Sequence, residues 1–310
     1  MPTGAREITL RFLAAPTDAG YSGSVSGGRV LEWIDKAGYA CAVGWAGTYS
    51  VTAYVGNVRF SRPVKVGDLV EATAQLIHTG RSSMHILVTV RSGNARDRLL
   101  TEATKCLMIF VAMGPDGRST PVPPWQPITD EDCEQQASAQ RRVALRAEIE
   151  SAMASQEYTE KGTAPSIVLR FLAAPTDVNW GGKVHGGIVM RWIDETAHAL
   201  ASQWTASTAN VAVYAGGVRF YQPLLIGHLV EVEARLLLTR ANSMHISVHV
   251  RSGAATSGAL ALTTHSLIVF APIVSDSSIP LWKPLSAEDK ALEEHALHLI
   301  HLRARVAIHR

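Results

Sequence analysis

Residues 10–18 read LRFLAAPTD, and residues 169–177 read LRFLAAPTD again. Outward from that pair the correspondence continues. Trp33-Ile34-Asp35 returns as Trp192-Ile193-Asp194, Val58-Arg59-Phe60 as Val218-Arg219-Phe220, and Ser83-Met84-His85-Ile86 as Ser243-Met244-His245-Ile246. Roughly half the positions of 10–110 recur in 169–270, with one residue inserted between Trp204 and Asn210. A repeat this long exceeds any solenoid unit, so each copy is predicted to be a whole folding module. A site kept by one copy and lost by the other then stands out as a difference.

The bulk numbers agree with two domains in 310 residues. A chain that is 47% hydrophobic and 18% charged packs as a globule. Its net charge of +2 and scattered arginines argue against a nucleic-acid partner. Cys41, Cys106 and Cys133 are odd in number and lack metal or redox spacing, which fits reduced thiols in the cytoplasm. The opening MPTGAREITL lacks the apolar centre of a signal peptide. No run approaches the roughly eighteen apolar residues of a membrane span. The expectation is a soluble cytoplasmic protein.

Within the first copy a short strand, Ile8 to Ala14, leads through a Pro/Asp/Gly/Ser loop to Gly27-Gly28. Val30, Leu31, Ile34, Ala37, Gly38 and Cys41 then fall at helical steps, on a helix apolar enough to be wrapped by other elements. Four strand-like runs follow, Tyr49–Phe60, Leu69–Thr79, Ser83–Arg91 and Leu99–Val111, and the second copy repeats the series. The expected class is α+β, an antiparallel sheet curved round a central helix, twice. Residues 1–120 and 163–285 are read as the modules, 121–162 as a helical connector and 286–310 as a C-terminal helix. Thr129 with Asp132, and Ser286 with Asp289, have capping-box spacing at the starts of those polar helices, near 130–154 and 287–308, with a joint at 154–163. His295, His298, His301 and His309 have no supporting carboxylate or Cys, so no metal is expected.

The segment that carries chemistry is Asp177-Val178-Asn179-Trp180-Gly181-Gly182-Lys183-Val184-His185-Gly186-Gly187, with Asp194 in the following helix. Glycines at a helix mouth admit a ligand to free N–H groups at the positive end of the dipole. An acyl carbonyl under attack by water needs such support. Asp194 lies two turns beyond Gly187, on the order of 10 Å along the axis. One module therefore does not aim its glycine mouth and its own aspartate at one atom, whereas two modules with antiparallel helices would exchange aspartates.

Asn179, then His185-Gly186-Gly187, then Asp194 resembles the acyl-CoA thioesterases of the hot-dog superfamily. Val58-Arg59-Phe60 with Pro63, Val66-Gly67-Asp68 and Gly80-Arg81-Ser82-Ser83-Met84 are similar to the bacterial and brain-type broad-range acyl-CoA hydrolases. The resemblance spans both copies but not the polar helices. It implies two hot-dog modules in tandem, paired side by side, with the Asn and His-Gly-Gly of one facing the Asp of the other. It also implies hydrolysis of acyl-CoA to free acid and CoA without a cofactor beyond the CoA of the substrate. The implied assembly is a trimer of double hot-dogs, with a dimer of chains as the alternative.

Carried across residue by residue, the resemblance gives one complete site and one stripped site. Asn179, His185 and Gly187 would work with Asp35; Gly20, Ser26 and Gly28 would be left with Asp194. Asp35 would serve as general base or nucleophile, Asn179 would hold water or the acyl group, the Gly187 N–H would polarise the carbonyl, and His185 would orient the loop or assist. The bland readings are a structural hydrogen bond for the aspartates, a turn for Asn179 and packing for the glycines. Arg81, Ser82 and Ser83 are candidate contacts to CoA phosphates, with Arg59, Arg62, Arg219 and Lys183 behind them. A strand hydroxyl used by some relatives finds only Ala53 and Ala212 in the matching region, so that role is not transferred. A non-catalytic acyl-CoA sensor on the same fold is the competing class; a hot-dog hydratase ranks lower, because its Asp/His loop is absent. Trp33, Trp192, Tyr39 and His198 line the helices without fixing acyl length.

Overall fold

The computed structural model describes residues 5–97, 99–156, 162–273 and 279–308. In chain order the first copy forms β1 (Glu7–Leu13), α1 (Gly27–Ala46), β2 (Ser50–Val55), β3 (Val58–Arg59), β4 (Asp68–Thr79), β5 (Ser83–Asn94) and β6 (Thr101–Ala112). The connector helix is α2 (Asp130–Ala154). The second copy forms β7 (Ser166–Leu172), α3 (Gly186–Thr205), β8 (Asn210–Phe220), β9 (His228–Arg240), β10 (Ser243–Ala254) and β11 (Ala261–Pro272), followed by α4 (Ala287–Ile308). Residues 157–161 of the expected joint lie outside the described residues.

The eleven strands among the described residues join one antiparallel sheet ordered β1-β4-β5-β6-β2-β8-β11-β10-β9-β7, with β3 also on β8. The modules meet where β2 pairs with β8, Tyr54 opposite Arg219 and Val55 opposite Val218. The run Tyr49–Phe60 is thus two strands rather than one. Gly56 turns the chain aside, its N–H donating to the Leu107 carbonyl (2.8 Å), and β3 resumes on β8 with Val58 opposite Ala215. In the second copy the equivalent stretch stays one strand.

On the inner face, α1 and α3 lie under the sheet in one continuous core that includes Ile34, Met108 and Phe110 of one copy and Met190, Ile193 and Phe270 of the other. The helices run antiparallel against each other. A Cβ on Gly28 would stand 2.8 Å from the Arg191 Cα, and one on Gly187 would stand 2.8 Å from the Glu32 Cα. Only glycine permits backbones that close. Each module also staples its own tail: Trp45 Nε1 donates to the Pro123 carbonyl, and Trp204 Nε1 to the Pro280 carbonyl, both at 2.9 Å.

The outer face carries α2 and α4. Thr129 and Asp132 form the anticipated capping box, and Ser286 caps Asp289 at 3.0 Å while the Ser286 N–H donates back at 3.2 Å. Leu292 and Ala296 of α4 cover Leu237, Leu238 and Leu267, while Leu299 and Leu302 meet Ile149 and Met153 of α2. Beneath α4 lie His245, His249 and His265, which burial pushes down to about 4, 3 and 4 respectively, so they stay neutral. His295 is half-buried, whereas His298 and His301 are exposed; His309 lies outside the described residues.

Candidate active site

The antiparallel crossing brings Asp35, in the third turn of α1, to the N-terminus of α3. The carboxylate is 1% exposed. Its Oδ2 accepts from the Gly187 N–H at 2.8 Å, and His185 Nδ1 stands 2.9 Å from the same oxygen. The Gly187 N–H also lies 3.1 Å from Nδ1, but a bare Nδ1 would repel a carboxylate oxygen at 2.9 Å. Nδ1 therefore carries the proton and donates to Asp35, leaving the Gly187 N–H to the shorter bond with Oδ2. Burial opposes the His185 cation, but the hydrogen bond and charge of Asp35 outweigh it and hold the ring above its ordinary pKa. An aspartate of one module is therefore gripped by the His-Gly-Gly element of the other.

A third donor corrects the sequence reading. Thr52 Oγ1 donates to Asp35 Oδ1 at 2.7 Å. The strand hydroxyl sits one residue before Ala53, at a register shift between Thr52 and Tyr54 in the β2–β6 pairing. Its counterpart in the second copy is Ala212, whose Cβ lies near Gly27 just as that of Thr52 lies near Gly186.

Two other assignments change in detail. The Gly187 N–H is occupied by Asp35, so as the chain stands it does not offer an empty oxyanion donor. Asn179 shapes its own loop: Oδ1 accepts from the N–H groups of Gly181 (2.8 Å) and Lys183 (3.1 Å), and Nδ2 reaches the Val184 carbonyl at 3.4 Å. Such an amide mimics a backbone turn. Tyr49 approaches Asn179 Oδ1 with its hydroxyl at 3.5 Å and packs against Gly181. Burial raises the Tyr49 phenol, and the charge of Asp35 adds to the shift. Nothing in the sequence flagged Tyr49, whose counterpart is the small Ala209. Over the mouth, Trp180, 70% exposed, stacks on Tyr39 with ring centroids 4.5 Å apart.

The equivalent place in the other half lacks the side-chain donors and keeps only the Gly28 N–H. Ser26 caps α1 by accepting from the Arg29 N–H at 3.2 Å, Gly20 packs on Ser26, and Ala212 has no hydroxyl. Asp194 is 4% exposed and its Oδ1 has no hydrogen-bond partner among the described residues. Burial pushes this carboxyl up to about 7, against the Gly28 N–H hydrogen bond, and the charge of Glu195 adds to the push.

The candidate phosphate ligands do not gather at Asp35. Arg81, Ser82 and Ser83 form the β4–β5 hairpin, and the Ser82 carbonyl accepts from the Ala112 N–H while Ala112 pairs with Ser50. That places the hairpin two strands, about 10 Å, from the start of β2 at the rim of the site. Arg219 is paired with Glu150 at 2.6 Å, and Arg62 donates to Thr101 Oγ1 at 3.0 Å. Arg59 faces the outer side of the sheet, in a groove with Tyr214 and Arg303. Burial pushes the Cys41 and Cys106 thiols up to about 12, outside the range of a reactive thiolate.

The model of the thioesterase superfamily matches residues 22–98 and 181–259, together half of the chain. The human cytosolic acyl coenzyme A thioester hydrolase is 24% identical over 266 residues, spanning 80% of this chain and 69% of that protein. The acyl-CoA thioester hydrolase YciA of Salmonella typhimurium is 34% identical over 120 residues, spanning 38% of this chain and 90% of the relative. A solved structure described as an oleoyl thioesterase from Lactobacillus plantarum superposes with a TM-score of 0.61 at 11% identity, over 87% of this chain and 98% of that one, a likeness of fold.

Proposed function

The chain belongs to the thioesterase superfamily, and from that premise we propose that it hydrolyses acyl-CoA thioesters to a carboxylic acid and CoA at the Asp35 site. The observation that carries this reading is the grip on Asp35: Thr52 holds one oxygen, and Gly187 with His185 holds the other. A carboxylate so fixed serves as general base. It takes a proton from water as the water oxygen bonds to the thioester carbon, the carbon–sulfur bond breaks, and the proton passes on to the departing CoA thiolate. The N–H groups of Gly186 and Gly187 at the start of α3 receive the carbonyl oxygen. Gly186 N–H, beside Asp35, has no partner among the described residues, and Gly187 N–H trades Asp35 for the carbonyl as charge develops. Asn179 keeps the loop in shape, and His185 holds Asp35 in line.

Positioned general bases contribute about 10²–10⁴-fold, so Asp35→Asn should lower thiol release by about that factor, while Asp194→Asn keeps most of it. Equal loss in both variants refutes the single-site reading. Single turnover in ¹⁸O-water tests the chemistry: a general base puts the label in the product acid and none in the chain, whereas label found in the Asp35 carboxyl shows an anhydride opened at the aspartyl carbon and refutes the general-base reading.

The same reading places the enzyme in the cytosol, as the name of its human relative suggests for that protein. No helix among the described residues is long and apolar enough to cross a membrane. Edge strand β7 leaves Val168, Leu169 and Leu172 exposed, which supports assembly of several chains, three double hot-dogs being the number the resemblance implies. Arg81 remains the proposed contact to CoA phosphates at the rim.

A further inference from the structure

The stripped half-site is open. A cavity of about 540 Å³ lies against Asp194, with Gly20, Ser26 and Ala212 on its walls and Phe60 and Phe270 supplying apolar surface. That volume falls within the range of small-molecule pockets. Its origin is subtractive: Ser26 stands where the other half has His185, Ala212 where it has Thr52, and Gly20 where it has Asn179. Ala209 replaces Tyr49, whose ring fills the equivalent space against Gly181.

Two features show that the space is not mere slack. First, the rim is kept: Tyr21, 75% exposed, stacks on His198 with centroids 5.2 Å apart, in the positions that Trp180 and Tyr39 hold at the other mouth. Second, the Asp194 carboxyl lines the cavity, buried, with Oδ1 unpartnered among the described residues. Burial holds this carboxyl far above the usual carboxylate range, at about 7, which favours its acid form and an O–H to donate. An apolar pocket with one buried acid donor suits a chain ending in an uncharged carbonyl. A free carboxylate would set a second negative group beside Asp194.

The geometry points to the Asp194 cavity as a second acyl-CoA site, one that binds the thioester without cleaving it, its carbonyl accepting from Asp194. This rests on the reading of the Asp35 site as an acyl-CoA hydrolase for the identity of the head group. No turnover follows there, because neither a histidine nor a threonine holds Asp194 as an ionised base.

The test is binding stoichiometry with an acyl-CoA analogue in which the thioester sulfur is replaced by methylene, which keeps the carbonyl but cannot be hydrolysed. Calorimetric titration of the full chain should give two equivalents per chain, and Asp35→Asn should keep both. Ala212→Phe, which fills the cavity, should give one; Ala209→Tyr, which installs the residue of the other module, should also give one and guards against a misfolded phenylalanine variant. One equivalent or none in the unaltered chain overturns the proposal, as do two equivalents persisting in both cavity variants. A second equivalent taken by the free fatty acid and refused by the analogue overturns it too. Two equivalents without thiol release from authentic acyl-CoA would sink the hydrolase reading and leave this one standing.

Discussion

Asp194→Asn isolates the cost of burying a carboxyl whose partners have gone. In the folded chain burial pushes Asp194 up to about 7; unfolded, it returns to about 3.8. The folded state therefore binds the extra proton between those values. Its stabilising effect is complete below about pH 3.8 and is lost as pH rises through 7. Integrating that linkage gives a loss of about 2–3 kcal/mol between pH 5 and pH 8, most of it before pH 7. The asparagine keeps the shape and cannot ionise, so the variant should escape this loss. The neutral His245, His249 and His265 act with opposite sign, since stability falls as pH drops below their unfolded pKa, but both proteins contain them and the difference cancels them. Urea denaturation of both proteins at pH 5, 6, 7 and 8 should show the gap shifting toward the variant by about 2–3 kcal/mol across the series. Parallel curves, separated by one offset at every pH, would refute the argument that Asp194 is a strained, uncompensated acid.

Thr52→Val removes one donor to a charged group, worth about 1.5–3 kcal/mol, so kcat for thiol release should fall by about 10–100-fold. An unchanged kcat would show that the hydroxyl is not needed to aim Asp35. Rebuilding the stripped half with Gly20→Asn, Ser26→His and Ala212→Thr should restore thiol release in an Asp35→Asn background; no recovery in a folded variant would mean that further residues define the site. Glu32→Arg should destabilise the chain by about 2 kcal/mol, discounted for partial exposure, and Arg191→Glu added to it should return most of that loss. Denaturation curves that stay additive would show that this ion pair does not join the modules. Ala206, at φ 52°, ends α3 where Gly47, at φ 66°, ends α1. Ala206→Gly should therefore gain up to about 1 kcal/mol, read as a higher Tm, and a lower Tm would count against strain there.

The duplication made most of the fold legible, because two spellings of one module average out local ambiguity. The helix starts at Gly27 and Gly186, the hairpins and both capping boxes all follow from repeated residues. The exchange of aspartates was legible too, from the two turns separating Gly187 from Asp194. Thr52 was not. Which strand residue faces the helix depends on a one-residue register at an irregular pairing, and a slip of one moves every side chain to the other face. Tyr49 escaped because it lies at the junction of a turn and a strand, where its partner Asn179 is distant in sequence by more than a hundred residues. The occupied Gly187 N–H belongs to the same class, a contact between modules that no local pattern encodes.

The uneven division of parts explains why the copies are joined and complementary. Asp35 and Thr52 come from the first module; His185, Gly187 and Asn179 come from the second. Paired with itself, the first module would have the acid and its hydroxyl but no histidine. The second, paired with itself, would have the histidine but no hydroxyl. Only the mixed pair assembles the set, and the covalent link makes that encounter intramolecular. The helix surfaces favour the same choice. Glu32 of α1 meets Arg29 at 2.7 Å and Lys36 at 2.8 Å and lies 3.8 Å from Arg191, the residue occupying its own position in α3. Lys36 is likewise matched in α3 by Glu195. Burial alone would raise Glu32, yet the cations around it hold its pKa below the ordinary carboxylate value. Two like modules would set glutamate against glutamate, or arginine against arginine, across the same close crossing. The charge exchange between copies thus opposes the pairings that would leave Asp35 without its histidine.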